Sequence, residues 1–81
     1  MRLPRDLSGT HLASLLERYD YRISRQTGSH IRLTRAAAGS DHHVTIPAHK
    51  ALKLGTLHGI LKEVSRNLNV EMKEIQAKLF G

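Results

Sequence analysis

The residues best equipped for chemistry in this chain are Gly28-Ser29-His30. They stand between two short alternating segments, Tyr21–Gln26 and Ile31–Thr34, so a tight turn delivers a histidine at the start of a strand. Histidine is the side chain suited to moving protons near neutral pH. The chain around it is basic, with 13 Lys and Arg against 7 Asp and Glu, a formal charge of +6 with its 6 histidines neutral. Most of the arginines (Arg2, Arg5, Arg18, Arg22, Arg25, Arg32 and Arg35) fall in the first half. Such a balance suits a polyanion, nucleic acid above all, and a membrane surface less well. A second positive element, His49-Lys50-Ala51-Leu52-Lys53-Leu54-Gly55-Thr56, precedes a predicted helix. Free amides at a helix start, the helix dipole and nearby lysines together favour a phosphate. Lys62 lies about two turns into that helix.

Several chemistries are excluded. With no cysteine there is no disulfide framework, thiolate zinc site or cysteine nucleophile. There is no acidic cluster for magnesium, and His42-His43, adjacent in a strand, point to opposite faces and cannot easily chelate one ion. No metal and no cofactor are therefore expected. The aromatics are few (Tyr19, Tyr21 and Phe80), which argues against gripping single strands by base stacking. No stretch approaches the ~20 apolar residues of a membrane span, and the N-terminus lacks the apolar run of a signal peptide. The expectation is a soluble, cytoplasmic protein of one domain, residues 1–81.

The elements that must position these residues follow from periodicity. Met1–Leu7 reads as an extended lead-in. Ser8 is a plausible N-cap for a helix over Gly9–Tyr19, with Leu12, Leu15, Leu16 and Tyr19 as its apolar stripe. The period then changes to two. Tyr21 and Ile23 alternate with Arg22 and Ser24; Thr27-Gly28-Ser29 is turn chemistry, with Gly28 able to take positive φ. Ile31 and Leu33 alternate with His30, Arg32 and Thr34, completing a hairpin. After the loop Arg35–Asp41 a third strand carries Val44 and Ile46, and Pro47 ends it. A second helix follows Gly55-Thr56 with the stripe Leu57, Ile60, Leu61, Val64 and Leu68. Asn69 is then the expected cap of a short third helix bearing Met72, Ile75 and Leu79. The order α-β-β-β-α-α predicts an α+β fold, a three-stranded antiparallel sheet with helices on one face and the other face open. Alternation assigns His30, Arg32, Ser24, Gln26, His43 and Thr45 to the open face.

The run Arg25-Gln26-Thr27-Gly28-Ser29-His30, then Ile46-Pro47, His49 and Leu52-Lys53-Leu54-Gly55-Thr56-Leu57 with Ile60-Leu61-Lys62, resembles the HicA toxin family of bacterial and archaeal type II toxin–antitoxin pairs. The resemblance covers roughly Ser8 to Leu68. It implies a double-stranded-RNA-binding-domain-like fold, α-β-β-β-α with an extra C-terminal helix here, and an mRNA interferase activity that inhibits translation and growth. It also implies His30 as the catalytic residue and a HicB-like antitoxin that covers the active surface, with assembly through the toxin–antitoxin complex. In double-stranded-RNA-binding domains, lysines at the start of the last helix grip phosphates, a place that Lys50 and Lys53 occupy here. The segment Asn69–Gly81 extends past the recognisable pattern and either packs on the body or serves a dimer or antitoxin contact.

RNA supplies its own nucleophile, the 2′-hydroxyl, so a metal-free site needs a group to take that proton, cations to stabilise the crowded phosphate and an acid for the leaving 5′-oxygen. His30 is assigned as general acid or base. Lys53, Arg25 and Arg32, with Lys50 and Lys62, are assigned to RNA phosphate, and Ser29 to orienting the histidine or the substrate. His43 and His49 are weaker candidates for a second proton-transfer group. The alternatives are a non-catalytic RNA-binding module on the same fold and an interaction protein whose basic face meets an acidic partner.

Overall fold

A computed structural model describes residues 3–81. Met1 and Arg2, placed above in the lead-in and the basic half, lie outside the described residues. The order is α1 (Gly9–Leu16), β1 (Arg22–Gln26), β2 (His30–Arg35), β3 (His42–Pro47), α2 (Leu54–Leu68) and α3 (Met72–Phe80). The three strands form one antiparallel sheet in the order β1-β2-β3, the α+β arrangement the periodicities predict. Among the described residues, no helix is long and apolar enough to cross a membrane.

Ser8 caps α1, its hydroxyl accepting from the His11 amide at 3.0 Å. The helix expected to reach Tyr19 is α-helical only to Leu16. A 3-10 turn, Glu17–Tyr19, follows, and Asp20 in the left-handed region (φ 68°) ends it. Asp can adopt that conformation at lower cost than most residues, and it turns the chain into the sheet. Gly9 sits where α1 meets the end of β3. Its amide donates to the His49 carbonyl at 2.9 Å, and a Cβ there would overlap the Pro47 carbonyl oxygen.

Strands β2 and β3 follow strict alternation. Ile31, Leu33, Val44 and Ile46 are buried against the helices, and His30, Arg32, His43 and Thr45 face the other way and are exposed. Strand β1 does not. Its register moves from Ile23 opposite Leu33 to Arg25 opposite Arg32, so Ser24 is an extra residue, a β-bulge. Two expectations are corrected in this strand, the first by its place at the sheet edge and the second by the bulge. Ile23, expected in the core, is 48 % exposed at the sheet edge. Gln26, expected on the open face, lies opposite the core-facing Ile31, while Arg25 joins Arg32 on the open face. An edge strand can absorb an inserted residue because one of its sides carries no ladder to break.

The β1–β2 turn is also built differently from expectation. Gly28 does not take positive φ; among the described glycines only Gly39 does (φ 97°). Thr27 makes the turn instead. Its amide donates to the His30 carbonyl at 2.9 Å, and its hydroxyl accepts the His30 amide at 3.1 Å.

Helix α2 starts at Leu54, with Lys53 at the N-cap and no side-chain cap bond. Leu57, Ile60, Leu61 and Val64 are buried and Leu68 is half-buried. Asn69 is not the cap of the next helix. It is the left-handed C-cap of α2 (φ 55°), and Glu71 precedes α3. The C-terminal segment packs on the body. Ile75 and Leu79 enter the common core, Arg18 donates to the Lys78 and Leu79 carbonyls at 2.9 and 3.2 Å, and the Lys78 ammonium stands 4.8 Å from the Tyr19 ring centre. A guanidinium at a helix C-terminus satisfies carbonyls that have no intrahelical partner and complements the dipole.

Candidate nucleic-acid interface

The open face of the sheet carries the candidate site. At one end is His30, whose strand neighbour across the ladder is Pro47. The Ala48 amide donates to the Ser29 carbonyl at 2.9 Å, so the turn bearing the histidine is tied to the β3–α2 loop. That bond holds the start of the loop, with His49 next in it, at the His30 end of the sheet, and His49, Lys50 and Lys53 are all exposed. The Ser29 hydroxyl is 3.0 Å from His30 Nδ1. A hydroxyl both donates and accepts, so Ser29 can hold the imidazole through Nδ1 in either tautomer and leave Nε2 for solvent or substrate.

Beside His30 on this face, Arg25 and Arg32 stand directly opposite each other across the β1–β2 ladder. Like charges in that relation repel at Cβ separations of ~4.5–5.5 Å. Among the described residues, neither has an acidic partner; the ion pairs present are His42–Glu63 and Lys73–Glu71. Two arginines without an acidic partner among the described residues, paired across the ladder beside an imidazole, concentrate positive charge on this face. The bulge at Ser24 creates this pairing, because plain alternation would send Arg25 to the helix side.

Not every predicted residue joins this group. Lys62 is exposed on α2, eight residues past the helix start, ~12 Å along its axis. It belongs to a helix on the far side of the sheet from His30. Arg18 and Arg35 serve the fold, Arg35 Nε donating to the Tyr19 carbonyl at 2.9 Å. His43 shares the open face, but its cross-strand partner is Thr34, four residues along β2 from His30, ~13 Å at the strand repeat. That separation rules it out as a partner of His30 at one phosphate. His49, two residues after Pro47, remains at the His30 end.

On the helix side, Tyr21, His42 and Glu63 form a separate polar cluster that the sequence reading did not anticipate. The Tyr21 hydroxyl is 2.7 Å from His42 Nδ1, and His42 Nε2 is 3.6 Å from Glu63. Burial, with the Glu63 charge adding to it and Arg35 opposing it, pushes the Tyr21 phenol up to about 12. The phenol therefore stays protonated, and its bond to Nδ1 together with the Glu63 contact braces the start of β3 against α2. Among the described residues, no group of three or more histidines and carboxylates converges as metal ligands.

The model of a family described as the HicA toxin of bacterial toxin–antitoxin pairs matches residues 9–65, from the first residue of α1 to the last turn of α2. No curated protein and no solved structure matches the chain.

Proposed function

The chain belongs to the HicA toxin family, so it is the toxin of a toxin–antitoxin pair with a cognate antitoxin as partner, and from that premise we propose that it is an mRNA interferase, a metal-independent endoribonuclease with His30 as its acid–base residue. The observation that carries the reading is the company of His30: an exposed imidazole held through Nδ1 by Ser29, next to two cross-strand arginines with no acidic partner among the described residues. In this reading His30 Nε2 takes the proton from a 2′-hydroxyl, or returns one to the departing 5′-oxygen. Arg25, Arg32 and Lys53, with Lys50, neutralise the pentacoordinate phosphate. The 2′-oxygen bonds to phosphorus as the bond to the 5′-oxygen breaks, giving a 2′,3′-cyclic phosphate and a 5′-hydroxyl. A HicB-like antitoxin covers the same face, and the pair acts in the cytoplasm.

The test is cleavage of RNA by purified protein. Activity should persist in EDTA, spare an all-deoxy substrate and leave cyclic phosphate ends. His30→Ala should lower the rate ~10²–10⁴-fold, the contribution of one positioned acid or base. Undiminished cleavage by His30→Ala overturns the assignment, and RNA binding without any cleavage makes the protein a non-catalytic binding module.

A further inference from the structure

The two open-face histidines are held in different ways. His30 is bonded to a serine whose proton can point either way. His43 ends a directed chain. Ser24 donates its hydroxyl proton to the Arg32 carbonyl at 3.3 Å, and Thr34 donates its own to Ser24 at 2.7 Å. Thr34 has then no proton left for the imidazole 2.8 Å away, so His43 Nδ1 must be the donor. In its neutral form the ring therefore presents Nε2 as a bare acceptor, and the exposed side chain has no partner for that atom among the described residues. Ser24, the extra residue of the β1 bulge, is the member of the chain that comes from the edge strand. Arg22, exposed and opposite Thr34, stands on the same face and has no ion pair among the described residues.

We propose that His43, fixed by Thr34 and Ser24, is a base-reading subsite that accepts a hydrogen bond from the exocyclic amino group of an RNA base, with Arg22 on the adjoining phosphate. The inference rests on the reading of this face as RNA-binding. A locked acceptor set against the 4-position of a pyrimidine discriminates cytosine, which carries an amino donor there, from uracil, which carries a carbonyl acceptor there and has its one ring donor at N3. The ~13 Å from His30 along the strand displaces the reading position from the scissile phosphate, so the subsite selects sequence without taking part in bond cleavage. His30, with its reversible serine partner, is free to change tautomer as acid–base work requires, whereas His43 is held in the single tautomer that recognition requires.

Binding in the His30→Ala background tests this while the RNA stays intact, independently of whether the wild-type protein cuts. Fluorescein-labelled oligocytidylate and oligouridylate of equal length are titrated at pH 8 and fixed salt. Oligocytidylate should bind about five- to tenfold more tightly, the worth of one net hydrogen bond. Adding His43→Ala should bring the two affinities within about twofold of each other. Thr34→Val should also erode the preference, because the freed ring can carry its proton on Nε2 and donate to uracil, and Thr34→Ser should keep it. A thermal unfolding curve for each variant establishes that it is folded. Equal binding of the two oligomers by the parent, a preference that survives His43→Ala, or no binding of either oligomer overturns the proposal. Wild-type RNA cleavage, scored separately, decides the nuclease reading.

Discussion

Replacing Gly9 by alanine adds one methyl group at the point where α1 meets the end of β3. The new Cβ would lie 3.1 Å from the Pro47 carbonyl carbon and 3.3 Å from Ala48 Cα, and it would overlap the Pro47 oxygen outright. Both sides are backbone, so no rotamer change relieves the contact. Restoring an ordinary carbon–oxygen separation of ~3.3 Å takes about an ångström of backbone displacement, enough to break the 2.9 Å bond from the Gly9 amide to the His49 carbonyl. Overpacking of this kind costs ~1–3 kcal/mol and the lost bond ~1 kcal/mol. Alanine's better helix propensity returns at most ~1 kcal/mol. A net loss of ~1–3 kcal/mol lowers the thermal midpoint of a domain of this size by roughly 5–20 °C. Circular dichroism melts of Gly9→Ala and Gly59→Ala side by side give the measurement. Gly59 lies inside α2 with nothing within 4 Å of its would-be Cβ, so its substitution should raise the midpoint, by ~0.5–1 kcal/mol in stability. Equal midpoints for the two variants, or a stabilised Gly9→Ala, would refute the reasoning.

The two tyrosines separate in the same assay. Tyr21→Phe leaves the His42 imidazole without its phenol partner and should destabilise by ~1–3 kcal/mol, whereas Tyr19→Phe removes a buried hydroxyl that has no hydrogen-bond partner and should be neutral or stabilising. At alkaline pH, folded Tyr21 holds its proton up to about 12 while the unfolded chain releases it near 10. Its contribution is therefore complete below pH 10 and lost as pH rises toward 12. Urea midpoints taken from pH 9 to about 11.5 should fall more steeply for the wild type than for Tyr21→Phe, and parallel slopes would count against the assignment.

Much of this layout is legible in the residues because strands β2 and β3 are buried on one face only, so Ile31, Leu33, Val44 and Ile46 reveal which way His30, Arg32 and His43 point. Strand β1 is exposed along its length, and its alternation carries no comparable constraint. The bulge at Ser24, and with it the outward turn of Arg25, leaves no mark in the residues for that reason, nor does the exposure of Ile23 at the uncovered edge. The Thr27-built turn shows why the glycine rule misled at Gly28: a side-chain hydroxyl can hold a turn without a left-handed residue. Asn69 marks the boundary between two helices but not which of them it belongs to, because asparagine suits both a left-handed helix end and a helix N-cap. The Gly9 contact and the Tyr21–His42–Glu63 cluster join segments distant in the chain, and no local pattern announces them.

The family match stops at residue 65, yet the folded unit does not. Ile75 and Leu79 of α3 fill the same core as the strands, and Arg18 grips the final carbonyls of that helix. Detachment of α3 would uncover apolar surface on the body and present an unfolded tail to proteases. The persistence of this toxin in a cell is thus governed in part by a helix that carries none of its chemistry, and a protease that captures the loosened tail would shorten its action without touching the face that bears His30.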